Sequence, residues 1–197
     1  HVMSRRPPIT TMSPPPVSPN LFYAHTRKEK PREKWEPLVD HLDLVRRRAM
    51  EFAQRFGADS QAAVAGAFHD LGKASALFLQ RLEGRESKLD HWTPGALAVC
   101  KKYGSVCRDA ILAILGHHAG LPDDSLKTIL ENAYRSNGAF PRGENLRLTL
   151  SAAPDMKEIL EAVKSLESSG HAFPERPIAG SLDSAPRPLT RMLDTRM

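Results

Sequence analysis

Histidine is the residue type in this chain best suited to chemistry, and one histidine stands beside an aspartate at a helix end. His69 and Asp70 follow an alanine-rich apolar run in the segment AFHDLGKAS, and Lys73 comes three residues later. An imidazole nitrogen and a carboxylate oxygen suit divalent manganese, iron, nickel, cobalt or zinc. The lysine would place a cation beside the site, where it could stabilise charge on a phosphate. The alternative is a solvated helix end with a partly buried histidine.

A histidine pair forms the second candidate group. His117 and His118 directly follow the apolar run 110–115, which predicts that a buried helix ends at this pair. Leaving adjacent imidazoles unsatisfied at such a place is costly. Metal ligation and hydrogen bonding to backbone carbonyls are the two solutions.

Three further histidines add weight only in combination. His91 lies between Asp90 and Trp92, where a turn histidine beside a buried tryptophan is the alternative to a ligand. His41 lies on an amphipathic helix and could face solvent, and His25 could belong to an N-terminal loop. Imidazoles spread over several helix boundaries match no simple packing need, so their co-occurrence favours a shared metal site.

The elements that must position these residues are predicted to be helices. From residue 21 to about residue 166 apolar residues recur at steps of three and four, and no alternating strand pattern is convincing. We therefore predict an all-α fold. Pro37 fits the first turn of one helix, and Asp59 or Ser60 can cap the next. The other predicted helices span 74–82, 93–103, 105–116, 123–134, 146–152 and 154–166.

Composition divides the chain into three parts. Residues 1–20 are rich in proline and predict a flexible arm, which opens on His1-Val2-Met3, interpreted as a cloning remnant. Residues 21–167 form the predicted domain, and residues 168–197 are interrupted by glycine, serine and proline and predict a loop-rich end.

Charge and cysteine content limit the class of protein. The 197 residues carry a net charge of +5, which is compatible with a phosphate-rich partner. Cys100 and Cys107 are the only cysteines and form no C-x-x-C pair, so a reducing cytoplasm is expected. No apolar run is long enough to span a bilayer and no secretory signal opens the chain, so no membrane association is expected.

Taken together, these segments resemble the HD phosphohydrolase superfamily, whose pattern is H…HD…D. More closely, they resemble the HD nuclease domain of the CRISPR type I interference nuclease-helicase. The similar segments occur in the family's order and cover about residues 22–123. They are YAHT at 23–26, DHL at 40–42, HDLGKAS at 69–75, DH at 90–91 and HHAGLPD at 117–123.

The resemblance implies an HD helical bundle with a metal site between helices, and a nuclease that cuts single-stranded DNA with one or two divalent transition-metal ions. The first ion would be bound by His41, His69 and Asp70, with Asp70 bridging to the second. The second ion would be held by His91, His117 and His118. The catalytic group would comprise His69, Asp70 and Lys73, with Lys73 beside the phosphate and His25 near the site.

The resemblance also implies partners. These are single-stranded DNA, a CRISPR surveillance complex, and a helicase domain or subunit. Because the sequence has no G-x-x-x-x-G-K-[ST] loop, we expect a lone nuclease domain, a separate subunit or a fragment of a larger effector. A DNA groove is expected near Lys28, Lys30, Arg32, Lys73 and Arg81, the alternative being a solvated charged face.

The chain departs from the family pattern at its end. The superfamily's last ligand is an aspartate on a late helix. In the nuclease family this aspartate lies in the middle of a stretch that begins like Arg191-Met192-Leu193 and ends like Asp194-Thr195. Here these two parts follow each other directly, so the middle with the aspartate is missing. Asp194 and Asp183 are weak substitutes. Two alternative functions therefore stay open: an HD phosphohydrolase of small nucleotides, and a catalytically impaired module that binds an interference complex.

Overall fold

The protein is mostly helical. The computed structural model describes residues 22–120, 125, 128, 131 and 154–177. Within them lie six α-helices and a two-stranded sheet. The strands are β1 (Tyr23–His25) and β2 (Glu36–Pro37); the helices are α1 (Leu38–Ala53), α2 (Asp59–Phe68), α3 (Ala76–Leu82), α4 (Thr93–Tyr103), α5 (Arg108–Ala119) and α6 (Met156–Ser168). The helix predicted at 146–152 and the arm at 1–20 fall outside the described residues, and of the helix predicted at 123–134 only residues 125, 128 and 131 are described.

The prediction of helices is confirmed in its coarse form, with corrections at their ends. The helix predicted at 93–103 has those bounds. The helix predicted from residue 74 begins at Ala76, because the Ser75 hydroxyl accepts a hydrogen bond from the Phe78 amide and caps it. The helix predicted at 105–116 is α5, which starts at Arg108 after a 3₁₀ turn. The helix predicted at 154–166 is α6, which begins after Asp155.

The small sheet is the element that sequence periodicity missed. β1 and β2 pair antiparallel, with Tyr23 opposite Pro37 and His25 opposite Glu36. Strands of three and two residues are too short to show alternation. The Leu38 amide donates to the Phe22 carbonyl at 2.9 Å, which fixes the hairpin against the first turn of α1. The hairpin thereby brings His25 next to α1.

One continuous apolar core joins the helices. Leu38 and Leu42 of α1 lie in it with no exposed surface. The close approach of α1 and α2 depends on Gly66, since a Cβ there would lie 2.6 Å from the Cα of Arg46. Other fully or almost fully buried members are Val64, Phe68, Val99, Ile111, Ile114, Ile159 and Leu166.

Buried polar groups fasten the helices at specific points. The Gln61 side chain donates to the Val106 carbonyl at 2.7 Å and accepts from the Ala110 amide at 3.2 Å, which ties α2 to the start of α5. The described residues contain no helix that is both long and apolar enough to cross a membrane.

Candidate metal centre

Five histidines from four parts of the fold surround the carboxylate of Asp70. His41 projects from the first half of α1, and His69 and Asp70 follow the last residue of α2. His91 precedes α4 in the loop after residue 88, and His117 and His118 occupy the last turn of α5. The structure thus brings together every histidine to which the resemblance assigned a metal.

One oxygen of the Asp70 carboxylate faces two of these imidazoles. Oδ2 of Asp70 lies 3.2 Å from Nε2 of His41 and 3.2 Å from Nε2 of His69. The two Nε2 atoms are 3.3 Å apart. One ligand atom of each of these three residues lies within 4.8 Å of the others, so the group is positioned to hold a metal ion.

The other carboxylate oxygen faces a second set. Oδ1 of Asp70 lies 3.4 Å from Nε2 of His91 and 3.6 Å from Nε2 of His117. His91 and His118 bring their Nε2 atoms to 3.1 Å of each other, and Asp70, His91 and His118 form another group whose ligand atoms lie within 4.8 Å. His117 lies between the two sets, its ring centroid 5.3 Å from that of His69 and 4.2 Å from that of His118.

The surroundings of the Asp70 carboxylate fit a cation. Its Oδ1 atom is buried and has no hydrogen-bond partner among the described residues. A buried carboxylate oxygen normally accepts from a donor, so an unpartnered one requires an explanation. Imidazole nitrogens converging on it are the donor set that borderline divalent metals prefer.

The outer ring nitrogens fix the tautomers of His69 and His117. Nδ1 of His69 lies 2.9 Å from the Gly66 carbonyl oxygen, and Nδ1 of His117 lies 2.7 Å from that of Ile114. Nδ1 of His91 is 3.2 Å from the Leu89 carbonyl oxygen. A carbonyl only accepts, so Nδ1 of His69 and of His117 carries the proton and donates, whereas Nδ1 of His91 also faces the donor Nη1 of Arg81 at 3.3 Å. Nε2 of His69 and of His117 is then left unprotonated toward Asp70, which is the form that ligates a metal.

The electrostatics favour a neutral His91 beside an ionised Asp70. Burial lowers the pKa of His91 to about 3, against the opposing charge of Asp70. Partial desolvation of its exposed ring and the neighbouring His117 also lower the pKa of His118. Burial alone would raise the pKa of Asp70, but the surrounding imidazoles of His117, His41 and His69 outweigh it and hold that pKa far below its usual range. At neutral pH the centre therefore presents an ionised carboxylate to neutral His91.

Lys73 is buried beside the carboxylate. Its side chain is 5% exposed, and Nζ lies 2.8 Å from Oδ2 of Asp70. The same ammonium donates to the Ala24 carbonyl of β1 at 3.2 Å. In this position Lys73 orients Asp70 and compensates its charge; contact with a phosphate stays a prediction.

Sequence reasoning missed Glu36. Oε1 of Glu36 lies 3.4 Å from Nδ1 of His41, and His25, Glu36 and His41 form a third group with ligand atoms within 4.8 Å. The His25 and His41 ring centroids are 5.0 Å apart, which places His25 near the centre as expected. The β1–β2 pairing sets His25 opposite Glu36 and so completes this group, and the sequence signal for that pairing is weak.

The residues predicted to contact DNA lie in different surroundings. Nη1 of Arg81 lies 3.3 Å from Nδ1 of His91, beside the centre. Arg32 pairs with Glu83 at 3.7 Å, while Lys28 and Lys30 are exposed in the loop after β1. Asp183 and Asp194, the substitutes for the late aspartate, lie outside the described part of the chain. The DNA contacts stay predictions.

Comparisons of the chain with protein-family models, with curated proteins and with solved structures find no match. The chemical interpretation therefore depends on the geometry of the centre and on the sequence motifs.

Acidification is expected to destabilise the metal-free protein. Folded His91 has a pKa of about 3, whereas in the unfolded chain its pKa is near 6.5. Below pH 6.5 the unfolded state binds more protons than the folded state. The contribution of His91 to the free energy of unfolding is therefore fully present above pH 6.5 and is lost as the pH falls toward 3. At pH 5.0 this group alone costs on the order of 2 kcal/mol.

Urea unfolding in EDTA at pH 7.5 and pH 5.0 measures the loss. His91→Gln, which does not titrate in this range, should lose less stability between the two pH values than the wild-type protein. An equal loss in both proteins would show that His91 is not the group responsible.

Proposed function

We propose that the protein is a metal-dependent HD-type nuclease that hydrolyses phosphodiester bonds of single-stranded DNA during type I CRISPR interference. The observation that supports this most is the division of the buried Asp70 carboxylate: one oxygen faces His41 and His69, and the other faces His91 and His117. A carboxylate shared between two imidazole sets suits two divalent cations.

The ligands divide accordingly. His41, His69 and Asp70 would hold one ion, and Asp70, His91 and His118 would hold the other, with His117 adjacent to both groups. No thiolate takes part, so manganese, iron, nickel, cobalt and zinc are the candidate metals. When bound, such ions supply a nucleophile at neutral pH and offset the negative charge of a phosphate.

The remaining side chains of the centre support the ligands and the substrate. Lys73 holds the Asp70 carboxylate from one side, with Nζ 2.8 Å from Oδ2, and would keep it oriented toward both ligand groups. Arg81 lies beside His91 and offers guanidinium donors close to the centre, where they would contact a phosphate of the substrate. His69, Asp70 and Lys73 remain the proposed catalytic group.

The choice of DNA as substrate rests on the resemblance. The YAHT, DH and HHAGLPD segments favour the CRISPR nuclease branch, although the same centre could hydrolyse small nucleotides. With no nucleotide-binding G-x-x-x-x-G-K-[ST] loop in this sequence, a helicase domain or subunit and a surveillance complex would deliver the strand in the cytoplasm.

Incubation with circular single-stranded DNA and manganese, nickel or cobalt tests the proposal. We expect endonucleolytic cleavage that EDTA abolishes, and at least about 100-fold slower cleavage by His69→Ala and by Asp70→Ala. His171→Ala is the matched control, because His171 follows α6, outside the ligand groups, and should leave the rate unchanged.

Three results would contradict the proposal. Cleavage that persists in His69→Ala and Asp70→Ala would show that the site is wrong. Hydrolysis of nucleotides without action on DNA would favour the small-nucleotide phosphohydrolase. A protein that retains no metal and cuts nothing with any metal would favour the binding module.

A further inference from the structure

An exposed stripe of apolar and basic side chains follows α1 away from the metal centre. Phe52 is 70% exposed, Phe56 60% and Leu44 46%, and these are the large hydrophobic residues most exposed in the described structure. Arg48 and Arg55 lie between them in the sequence and are also exposed. We call this set of five residues the α1 stripe.

The α1 stripe shares a helix face with a proposed ligand. Leu44, Arg48 and Phe52 follow His41 at steps of three, four and four residues, a spacing that returns to the same side of an α-helix. Phe52 therefore lies about 16 Å from His41 along the helix axis. A strand that leaves the metal centre along this face would meet Leu44, Arg48 and Phe52 in order, and then the 3₁₀ turn Gln54–Phe56, which carries Arg55 and Phe56.

The two arginines of the α1 stripe differ from the other arginines of α1 in their ion pairing. Arg46 and Arg47 on the same helix both pair with Asp43, at 2.6 and 3.1 Å. Arg48 and Arg55, in contrast, form no ion pair with any residue that the structure describes. Their guanidinium groups can contact phosphates without first breaking such a pair.

We propose that the α1 stripe binds single-stranded DNA on one side of the bond to be cleaved, an inference that rests on the proposed nuclease function for its direction. Phe52 and Phe56 stack on successive bases, while Arg55 contacts the phosphate between these bases and Arg48 contacts the phosphate on the other side of the base at Phe52. Aromatic rings that alternate with guanidinium groups match a single strand, because bases and phosphates alternate along it. Such contacts do not depend on the base sequence.

Fluorescence anisotropy with a labelled 15-nucleotide oligo(dT) in EDTA tests the proposal. We expect Phe52→Ala/Phe56→Ala to bind at least about tenfold more weakly, and Phe52→Trp/Phe56→Trp to retain binding because tryptophan also stacks. Arg48→Ala/Arg55→Ala should reduce the slope of log K against log salt by about 1.4, the value for two phosphate contacts on a single strand. Lys157→Ala/Lys164→Ala on α6 removes the same charge and should change little.

Unchanged oligonucleotide binding by Phe52→Ala/Phe56→Ala would overturn the proposal and leave a protein partner as the occupant of the stripe. Equal loss of affinity in the α6 control would overturn it too, by showing that only net charge matters. Because binding is measured without metal, a wild-type protein that binds DNA through the stripe but cuts nothing would contradict the nuclease function alone.

Discussion

Asp70→Asn is expected to lose both metal ions and to slow phosphodiester cleavage by more than about 100-fold, beyond the effect typical of residues that only support a ligand. Each Asp70 oxygen faces a different imidazole set, at 3.2 Å for His41 and His69 and at 3.4 Å for His91. An amide keeps the shape of the side chain but carries no charge, and its nitrogen cannot replace a carboxylate oxygen as a ligand. One substitution therefore weakens both groups.

Counting manganese ions by calorimetry or elemental analysis measures the effect directly. Asp40→Asn is the matched control: it makes the same change one residue before His41, on an exposed side chain outside the ligand groups, and should retain both ions and full activity. Full metal occupancy in Asp70→Asn would contradict a bridging role.

Folding must be separated from metal loss in this experiment. Asp70→Asn leaves the buried Lys73 ammonium without its carboxylate, and breaking a buried pair costs about 3–5 kcal/mol. His118→Gln avoids that cost because His118 is exposed. It removes a ligand of one group only, so we expect it to retain one ion; loss of both ions or of neither would contradict the two-group arrangement.

Gly95→Ala is expected to cost about 3 kcal/mol of the free energy of unfolding, or more. A Cβ at residue 95 would lie 1.9 Å from the carbonyl oxygen and 3.0 Å from the carbonyl carbon of Phe68. Both are backbone atoms in the last turn of α2, so no rotation of a side chain relieves the overlap, and α4 must move away from α2. Because Phe68 immediately precedes His69 and Asp70, these two proposed ligands move with it.

Urea unfolding at neutral pH measures the loss, and metal affinity should fall in the same variant. Gly84→Ala is the comparison: its Cβ would meet nothing within 4 Å, and only its left-handed φ of +77° is unfavourable, at about 1–2 kcal/mol. If Gly95→Ala unfolds no more easily than Gly84→Ala, the close approach of α4 to α2 is not what orders the centre.

The sequence alone predicted the features that depend on near neighbours. The steps of three and four residues indicated helices, and α4 has the predicted bounds because Pro94 near its start and Gly104 after its end are local signals. The type and order of the histidines were enough to predict a metal site around Asp70. The sheet was missed because the β1 and β2 segments carry no periodic pattern.

Only the tertiary structure decided how the ligands divide around Asp70 and which residues support them. The Gly72 amide donates to the His91 carbonyl at 3.0 Å, and a Cβ at Gly72 would lie 2.5 Å from that oxygen. This contact brings the loop of His91 against the turn of Asp70. The hairpin brings His25 to Glu36 and His41, and the chain after α3 returns to place His91 beside Arg81. The spacing of apolar residues in a helix predicts which face is buried. Which distant segment packs against that face depends on the shapes of the helix and of that segment, and no local sequence pattern encodes this pairing.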